Sequence, residues 1–556
     1  MNLKDIPIGI ENFNQIENKY YVDKTLIIKD IIDQGIGKSI LITRPRRFGK
    51  SLALSTIDYY FNQDKKEYSY LFDDKLISNA GDNYLKYKNQ YPLIHLNLKT
   101  LENTNEYDVL DKIKDKMSAL YKEYSYLLKS DSLFEIDKKE IDSIINKKAS
   151  YSLLSSSLKN LTYYLKQHFN KNVILLIDEY DAPLQSSFLT NNLDKYLPFF
   201  RSFYSDALKG NENLEFAIIT GVVQISKESL FSGLNNLFVC SVDQKFLSSY
   251  FGFTKNEVID LLKYYNIDIN FDKLKEEYGG YNLVNDLELL NPWSVLNFVQ
   301  SGCLFPYWAN TGTNQLVYEL INQDESFEEI LSSLNNKDIK ARFTTTFTYR
   351  DKTNINIILS LLVGLGYLTI VKSDEQGFYN FYIPNKEIRE IFYTEILSRN
   401  IDSKHINSAL KFVEAVKNSN VEEIKNMLET YLLPSLSYYD LKDERNYHNA
   451  ITGALAFLFD SHIISNEVNT GNGRCDIMLT PKDINDIGII IEIKHSKAKT
   501  EMSYQKLKQL ADNAIEQIEN KKYVEKLKQL GVKKIYLYGM SFKDKKSAIS
   551  SKIVTE

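Results

Sequence analysis

Two stretches of this sequence carry side chains in the order that phosphate chemistry needs. In the first, Arg44-Pro45-Arg46-Arg47-Phe48-Gly49-Lys50-Ser51-Leu52 stands between an apolar run and a helical one. Backbone N–H groups at such a helix start face phosphate oxygens, Lys50 reaches the β- and γ-phosphates, and the Ser51 hydroxyl ligates Mg²⁺. Arg47, Phe48, Gly49 and Leu52 are expected beside them around the nucleotide. Arg44 stands where the phosphate-loop pattern GxxxxGK[ST] has its first glycine, so the chain must turn there without a permissive residue. The other GKS, in Gly35-Ile36-Gly37-Lys38-Ser39, is rejected because a strand follows it rather than a helix.

Val173 to Ile177 is a wholly apolar run that ends in Asp178-Glu179. In an α/β sheet ligands collect at the carboxyl ends of strands, so Asp178 can hold Mg²⁺ while Glu179 polarises the attacking water. Thr220 closes the next apolar run and is placed like a sensor of the γ-phosphate. Arg201 could add positive charge to the transition state, although a surface ion pair explains it more simply.

The second stretch lies near the C-terminus. Gly471-Asn472-Gly473-Arg474-Cys475-Asp476 leads an apolar run, and Gly488 to Ile491 leads into Glu492-Ile493-Lys494. The period of two in a strand puts Glu492 and Lys494 on one face and Ile491 and Ile493 on the other. Asp476 and Glu492 could then share Mg²⁺, with Lys494 orienting hydroxide or stabilising the charged phosphorane. The plain structural alternative is an exposed Glu–Lys pair contributing at most about 1 kcal/mol. Gln517 and Tyr523 could line the same cleft, and Glu444, beside Tyr447 and His448 ahead of a helix, or Glu467 could complete the metal site. No HxxxH pair exists, and His95, His168, His405 and His462 read as structural.

The elements that must position these groups follow the apolar periodicity. Ser39 to Thr43, Leu93 to Leu98, Val173 to Ile177 and Phe216 to Thr220 read as strands, Leu52 to Phe61 as a helix, and Tyr107 to Phe169 as a helical flank. Strands separated by helices predict a parallel α/β sheet. Thr254 to Tyr349 reads as a helical lid anchored by Trp293 and Trp308. Helix Ile355 to Leu365, followed by a hairpin over 366–383, reads as a winged-helix-like module of structural rather than DNA-binding type. Ser419-Asn420-Val421-Glu422 reads as a capping box for a helix that Pro434 closes.

A chain of 556 residues is too long for one core, and domains of about 100 to 200 residues imply about three or four. The predicted division is 1–250, 251–400 and 401–556. With 43% hydrophobic and 25% charged residues the composition is globular, and the net charge of -5 does not mark a bulk nucleic-acid binder. Locally the sign reverses: from Lys494 to Lys552 fifteen lysines face six acids, which suits phosphate contacts or a solvated helix face. The 39 tyrosines carry little weight, because codon bias toward Asn, Lys, Ile and Tyr explains them. Cys240, Cys303 and Cys475 form no CxxC pair, and no segment reads as exported or membrane-spanning, so a reduced cytoplasmic setting is expected.

IPIGI at 6–10, YVDKT at 21–25, RPRRFGKSL at 44–52, IDEYDAPL at 177–184, TGV at 220–222 and SKESLFSGLNNL at 226–237 carry a further signal, with NPWS, GYLTI, IPN, GRCDIML and IEIK later. Together they resemble bacterial AAA-ATPase-like proteins that bear a C-terminal PD-(D/E)XK nuclease-superfamily domain. The resemblance implies a P-loop NTPase parallel sheet, a helical and winged-helix-like middle region, and a restriction-endonuclease-like α/β terminus. It also implies arginine at the position of Arg44, ATP and Mg²⁺ as cofactors, nucleic acid as partner with DNA ahead of RNA, and homo-oligomers in which subunits complete one another's sites. Gln224 stands where relatives carry a base, and Asn469 near where some carry an acid. The expected function is an ATPase coupled to a metal-dependent nuclease. A nucleotide-dependent switch with an inactive nuclease-like module, and a nuclease whose altered P-loop is merely structural, are the rivals.

Overall fold

The computed structural model describes residues 3–34, 39–101, 109–225, 237–284, 287–308, 339–347, 354–373, 376–391, 406–435, 444–455, 458, 461–469, 474–496 and 502–555. The rejected GKS at 35–39 except Ser39, the SKESLFSGLNNL motif up to residue 236, the glycines at 471 and 473, and His405 lie outside the described residues. The described chain falls into two compact units, the first ending at Glu387 and the second beginning at Ile388.

The first unit is built on a five-stranded sheet in which β1 (Ser39–Thr43), β2 (Leu93–Asn97), β3 (Val173–Asp178), β4 (Leu214–Gly221) and β6 (Leu237–Cys240) run in the order β2-β3-β4-β1-β6. Every pairing is parallel. Each residue of β1 and β3 is buried, as strands covered by helices on both faces must be. Parallel register then brings the carboxyl ends of β1, β3 and β4 to one edge. Ile42 pairs with Thr220 and Ile177 with Ile219, so β4 stands between the loop after β1 and the acids after β3.

Helix Lys50–Phe61 starts directly from Gly49, whose φ of 86° is left-handed. Among the described residues, the flank predicted between 107 and 169 forms three α-helices, Val109–Glu123, Glu135–Ile145 and Tyr151–Phe169, and a short 3-10 helix, Ser125–Lys129. The described part of the middle region as far as Glu387 belongs to the same compact unit as the sheet. It contains helices Lys255–Tyr264, Phe271–Tyr278 and Pro292–Ser301, and a hairpin of β7 (Tyr281–Val284) and β8 (Leu287–Leu289) that periodicity did not announce. β5 (Gln224–Ile225) pairs with β10 (Thr346–Phe347).

The winged-helix-like part is helix Ile355–Leu365, capped by the Asn354 side chain and ended by left-handed Gly366, with an antiparallel sheet in the order β11-β12-β9. Its strands are β9 (Ile339–Arg342), β11 (Thr369–Lys372) and β12 (Phe378–Tyr382). Glu387, wholly buried, closes the unit by accepting the Ser294 hydroxyl at 2.8 Å and the Trp308 N–H at 2.8 Å.

The second unit is a mixed sheet of β13 (His462–Asn469), β14 (Arg474–Pro481), β15 (Gly488–His495), β16 (Lys534–Lys543) and β17 (Lys546–Thr555) in sequential order. Only β15 and β16 run parallel. One face packs Ile477, Ile491, Ile493 and Tyr538 against helices Ile406–Lys417 and Glu444–Leu455. The other packs Met478, Ile490 and Leu537 with residues of helices Tyr504–Asn520 and Val524–Gln529.

The capping box at Ser419 is corrected. The N-cap is Asn420, whose side chain accepts from the Glu423 N–H. Pro434 does not close that helix either. After Met427 the chain widens into a π-turn, Leu428–Leu432, and Pro434 sits inside the following turn. Glu444, Tyr447 and His448 lie within their helix rather than ahead of it.

Candidate functional site

The loop after β1 is shaped by two left-handed residues, Arg47 at φ 66° and Gly49. A Cβ on Gly49 would meet nothing within 4 Å, so the loop faces open space. Lys50 is buried and donates to the carbonyls of Arg44 at 3.1 Å and Pro45 at 3.2 Å, with Glu179 3.6 Å away. Its ammonium is therefore held at the mouth of the loop by groups a phosphate oxygen can replace.

Asp178 is the centre of the arrangement. It accepts the Ser51 hydroxyl at 2.6 Å, the Thr220 hydroxyl at 2.5 Å and the Asn97 amide at 3.1 Å. Burial, then the neighbouring Glu179 charge, push its pKa up, while the two hydroxyls and Lys50 pull it back. A hydroxyl and a carboxylate oxygen in contact are a hard-oxygen pair of the kind Mg²⁺ takes, so the donor set fits that ion. Ser51, Asp178 and Thr220 thus converge as their sequence positions suggested, and Glu179 joins them through Lys50. Phe48, which also lines the cavity before the loop, is buried edge-on to Tyr281, and Arg47 lays its guanidinium over Trp293 at 4.4 Å. Leu52 lines the cavity before the loop. Arg201 is exposed on helix Leu193–Leu208 and is not among the described residues lining that cavity.

Arg44 does not face phosphate. It is fully buried, and its Nη1 lies 2.8 Å from each of the carbonyl oxygens of Thr43, Cys240 and Ser241. Burial lowers its pKa to about 10, so it stays charged at neutral pH. The guanidinium fastens the loop's entry to the end of β6, which is how the chain turns without glycine.

Three contributors were not foreseen. Asn97 reaches Asp178 from the end of β2, a place the carboxyl-end rule could have indicated. Buried Asp181 accepts the Val222 N–H at 2.8 Å and the Val223 N–H at 3.2 Å, fixing the chain just past Thr220. Burial and then the Glu179 charge raise its pKa to about 7. The N-terminal segment with Pro7, Ile10 and Val22 lines the cavity, and composition gave no sign of it.

In the second unit, Ile477 pairs with Ile491, which brings Asp476 opposite Glu492. The Asp476 carboxylate accepts the Ile493 N–H at 2.7 Å. Glu492, 1% exposed, accepts Lys494 Nζ at 2.8 Å and the Gln517 amide. Its other oxygen, Oε2, is buried with no hydrogen-bond partner among the described residues. An orphaned carboxylate oxygen beside a second carboxylate fits a divalent ion, which would otherwise have to be replaced by a proton. Burial and then the Asp476 charge raise the Glu492 pKa to about 7.

Tyr523 donates to the Arg474 carbonyl at 2.7 Å, and His448 Nε2 lies 3.1 Å from the Asp476 carbonyl. Among the described residues no three His, Cys, Asp or Glu side chains form a metal-ligand set. The side chains of Glu444, Glu467 and Asn469 lie outside the described residues. His95 pairs with Asp58, His168 with Ser130, and His462 with Ser461 and the Ile487 carbonyl, all in structural roles. No described helix is long and apolar enough to cross a membrane.

Comparison with known proteins finds a family match for each of the two regions. Residues 7–231 match the family described as Predicted AAA-ATPase, and residues 442–552 match the PD-(D/E)XK nuclease superfamily. An uncharacterized protein in the vnfD 5' region of Azotobacter chroococcum mcd 1 is 26% identical over 406 residues, covering 72% of this chain and 71% of that protein. The Walker-type ATPase PABY2304 of Pyrococcus abyssi aligns in structure with a TM-score of 0.36 at 13% identity, over 67% of this chain and 95% of that one. The chain joins an N-terminal region of the predicted AAA-ATPase family to a C-terminal region of the PD-(D/E)XK nuclease superfamily.

Proposed function

We propose that the first unit binds and hydrolyses ATP with Mg²⁺, and that the second hydrolyses phosphodiester bonds of nucleic acid, DNA ahead of RNA, with a divalent ion. The division of labour follows domains at 1–250, 251–400 and 401–556, the middle one serving as lid. The convergence of Ser51, Asn97 and Thr220 on Asp178, beside Lys50 and Glu179, carries the ATPase reading. Lys50 exchanges its loop carbonyls and Glu179 for phosphate oxygens, and Glu179, so released, accepts the proton of the attacking water. Asp178 and Ser51 would hold Mg²⁺, which neutralises charge on the phosphates when bound. Thr220 keeps Asp178 oriented.

In the second unit Asp476 and Glu492 would hold the divalent ion, which supplies an activated water. Lys494, 30% exposed, reaches toward solvent from Glu492 and is placed to bear on a phosphate oxygen. The lysines of helices Tyr504–Asn520 and Val524–Gln529 would supply sequence-independent backbone contacts. A homo-oligomer belongs to the same reading and is checked by sedimentation with and without ATP.

The test uses full-length protein with DNA and RNA, Mg²⁺ or Mn²⁺, with and without ATP. Loss of cleavage in Asp476→Ala and loss of ATP turnover in Lys50→Ala support the reading. ATP turnover without cleavage of any substrate would replace it with a nucleotide-dependent switch bearing an inactive nuclease-like module.

A further inference from the structure

Thr220, which donates to Asp178, is the last residue but one of β4, and the chain beyond it is gripped from two sides. On the first side stand the residues that follow Glu179. The Tyr180 N–H donates to the Thr220 carbonyl at 3.0 Å. The Tyr180 hydroxyl donates to the Val223 carbonyl at 2.7 Å and accepts the Ile225 N–H at 2.9 Å. Asp181 adds its bonds from the N–H groups of Val222 and Val223. Residues 220–225 are thereby tied to the chain that follows the acids at the end of β3.

The second side belongs to the winged-helix-like part. Helix Ile355–Leu365 is buried at every residue from Ile357 to Leu365, which marks a packing element rather than a surface one. Near its end, a Cβ on Gly364 would stand 2.8 Å from Val223 Cγ1 and 3.0 Å from the Val222 carbonyl oxygen. The helix therefore lies directly against the two residues whose N–H groups Asp181 holds. Two residues on, a Cβ on Gly366 would stand 3.1 Å from Pro45 Cβ, so the helix end also abuts the loop after β1. The Gly366 carbonyl accepts the Tyr281 hydroxyl at 3.3 Å, and Tyr281 meets Phe48 edge-on. β10 adds to the grip. It pairs with β5 through Gln224 and Ile225, and the Thr344 N–H just before it donates to Ser360 of the same helix at 3.0 Å.

From this geometry we infer that the winged-helix-like part is a component of the ATPase site: helix Ile355–Leu365, by its close approach at Gly364, is the buttress that positions Thr220, and Asp181 is the positioning residue on the opposite side. The inference rests on the ATPase reading above and deepens it. Gly364 and Asp181 act through the main chain of residues 220–223 and not on the phosphates. Asp178 takes its orientation from Ser51, Asn97 and Thr220, and a misplacement of about 1 Å in such a site costs on the order of 10²-fold in rate. Affinity, which that reading assigns to Lys50 and the loop after β1, changes far less.

The experiment measures Mg²⁺-ATP binding and hydrolysis by full-length wild type, Gly364→Ala, Val223→Ala and the double variant, with kcat taken per mole of ATP bound. Partial unfolding then lowers the bound amount and not kcat. Gly364→Ala should lower kcat by at least about tenfold while the dissociation constant moves by less than about threefold. The double variant, in which the added methyl no longer meets Val223 Cγ1, should turn over within about threefold of Val223→Ala alone. Asp181→Ala asks the same from the other side and decides the matter should Gly364→Ala not fold. Its kcat should fall at least about tenfold below that of Asp181→Asn, which keeps an oxygen for the two N–H groups. Wild-type kcat in Gly364→Ala, a loss that Val223→Ala does not relieve, or equal kcat in the two Asp181 variants would overturn the inference and leave the ATPase reading intact. If the wild type neither binds nor hydrolyses ATP, both fall.

Discussion

Lys50 and Glu179 touch one another in this structure, yet the proposed chemistry separates their tasks. Lys50→Ala removes the only ammonium buried at the loop mouth among the described residues and should weaken Mg²⁺-ATP binding by about 100-fold or more, measured by calorimetry. Glu179→Gln should keep binding and lower turnover by about 10²- to 10⁴-fold, the span of a lost general base. Glu492 makes a pH prediction. Its folded pKa of about 7 lies above the ordinary carboxylate value, so a metal must displace a proton below pH 7. Mn²⁺ affinity of the second unit should fall by about tenfold per pH unit below 7 and level off above it. The same raised pKa means that, without metal, the carboxyl adds stability fully below its unfolded value and loses it as pH rises through 7. Glu492→Gln should flatten both dependences, read by Mn²⁺ titration and by urea midpoints across pH 5 to 8.5. Asp178, Glu179 and Glu492 stood out in the sequence because they follow apolar runs, and Asp476 because it opens one. Asp181 did not. Its partners are main-chain N–H groups forty residues away, and no side-chain pattern encodes them.

At the scale of elements, the second unit depends on how closely helix Tyr504–Asn520 approaches β16. A Cβ on Gly539 would lie 2.0 Å from the Ala511 carbonyl oxygen, so no larger residue fits without moving that helix. Gly539→Ala should destabilise the second unit by about 1 to 3 kcal/mol in urea unfolding. It should also weaken metal binding, because the displaced helix carries Gln517 to Glu492. Strands and long helices were readable from periodicity, since β1, β3 and β15 each contain an uninterrupted apolar run. Capping was read one residue early at Ser419. Both Ser419 and Asn420 are good capping types, and only backbone geometry chooses between them: Ser419 is left-handed at φ 53°. The β7–β8 hairpin escaped because its strands are short, Tyr281–Val284 and Leu287–Leu289, too brief for an alternating pattern to emerge.

The whole chain holds two compact units with separate cores, so its ligands should report on each independently. Scanning calorimetry should resolve two transitions. Mg²⁺-ATP at about 100 times its dissociation constant should stabilise one of them by about 2.7 kcal/mol, and Mn²⁺ in the absence of nucleotide should raise the other. A single transition raised by both ligands would mean the units unfold together. The pairing of a nucleotide-binding region with a nuclease-like one was legible because each carries its own motif over a short span. The part of helix Pro292–Ser301 in walling the cavity before the loop was not, because Trp293 and the segment around Ile10 meet across nearly 300 residues of sequence.

Arg44 has a consequence for how this sequence can change over time. By consensus alone it looks like a lost glycine, and Arg44→Gly would restore the familiar motif. In this fold the substitution would strip the carbonyls of Thr43, Cys240 and Ser241 of a shared donor and leave a void beside Phe251. Once β6 has come to lean on that guanidinium, the road back to glycine is closed to single mutations, and the variant motif is inherited as a dependency rather than tolerated as a defect.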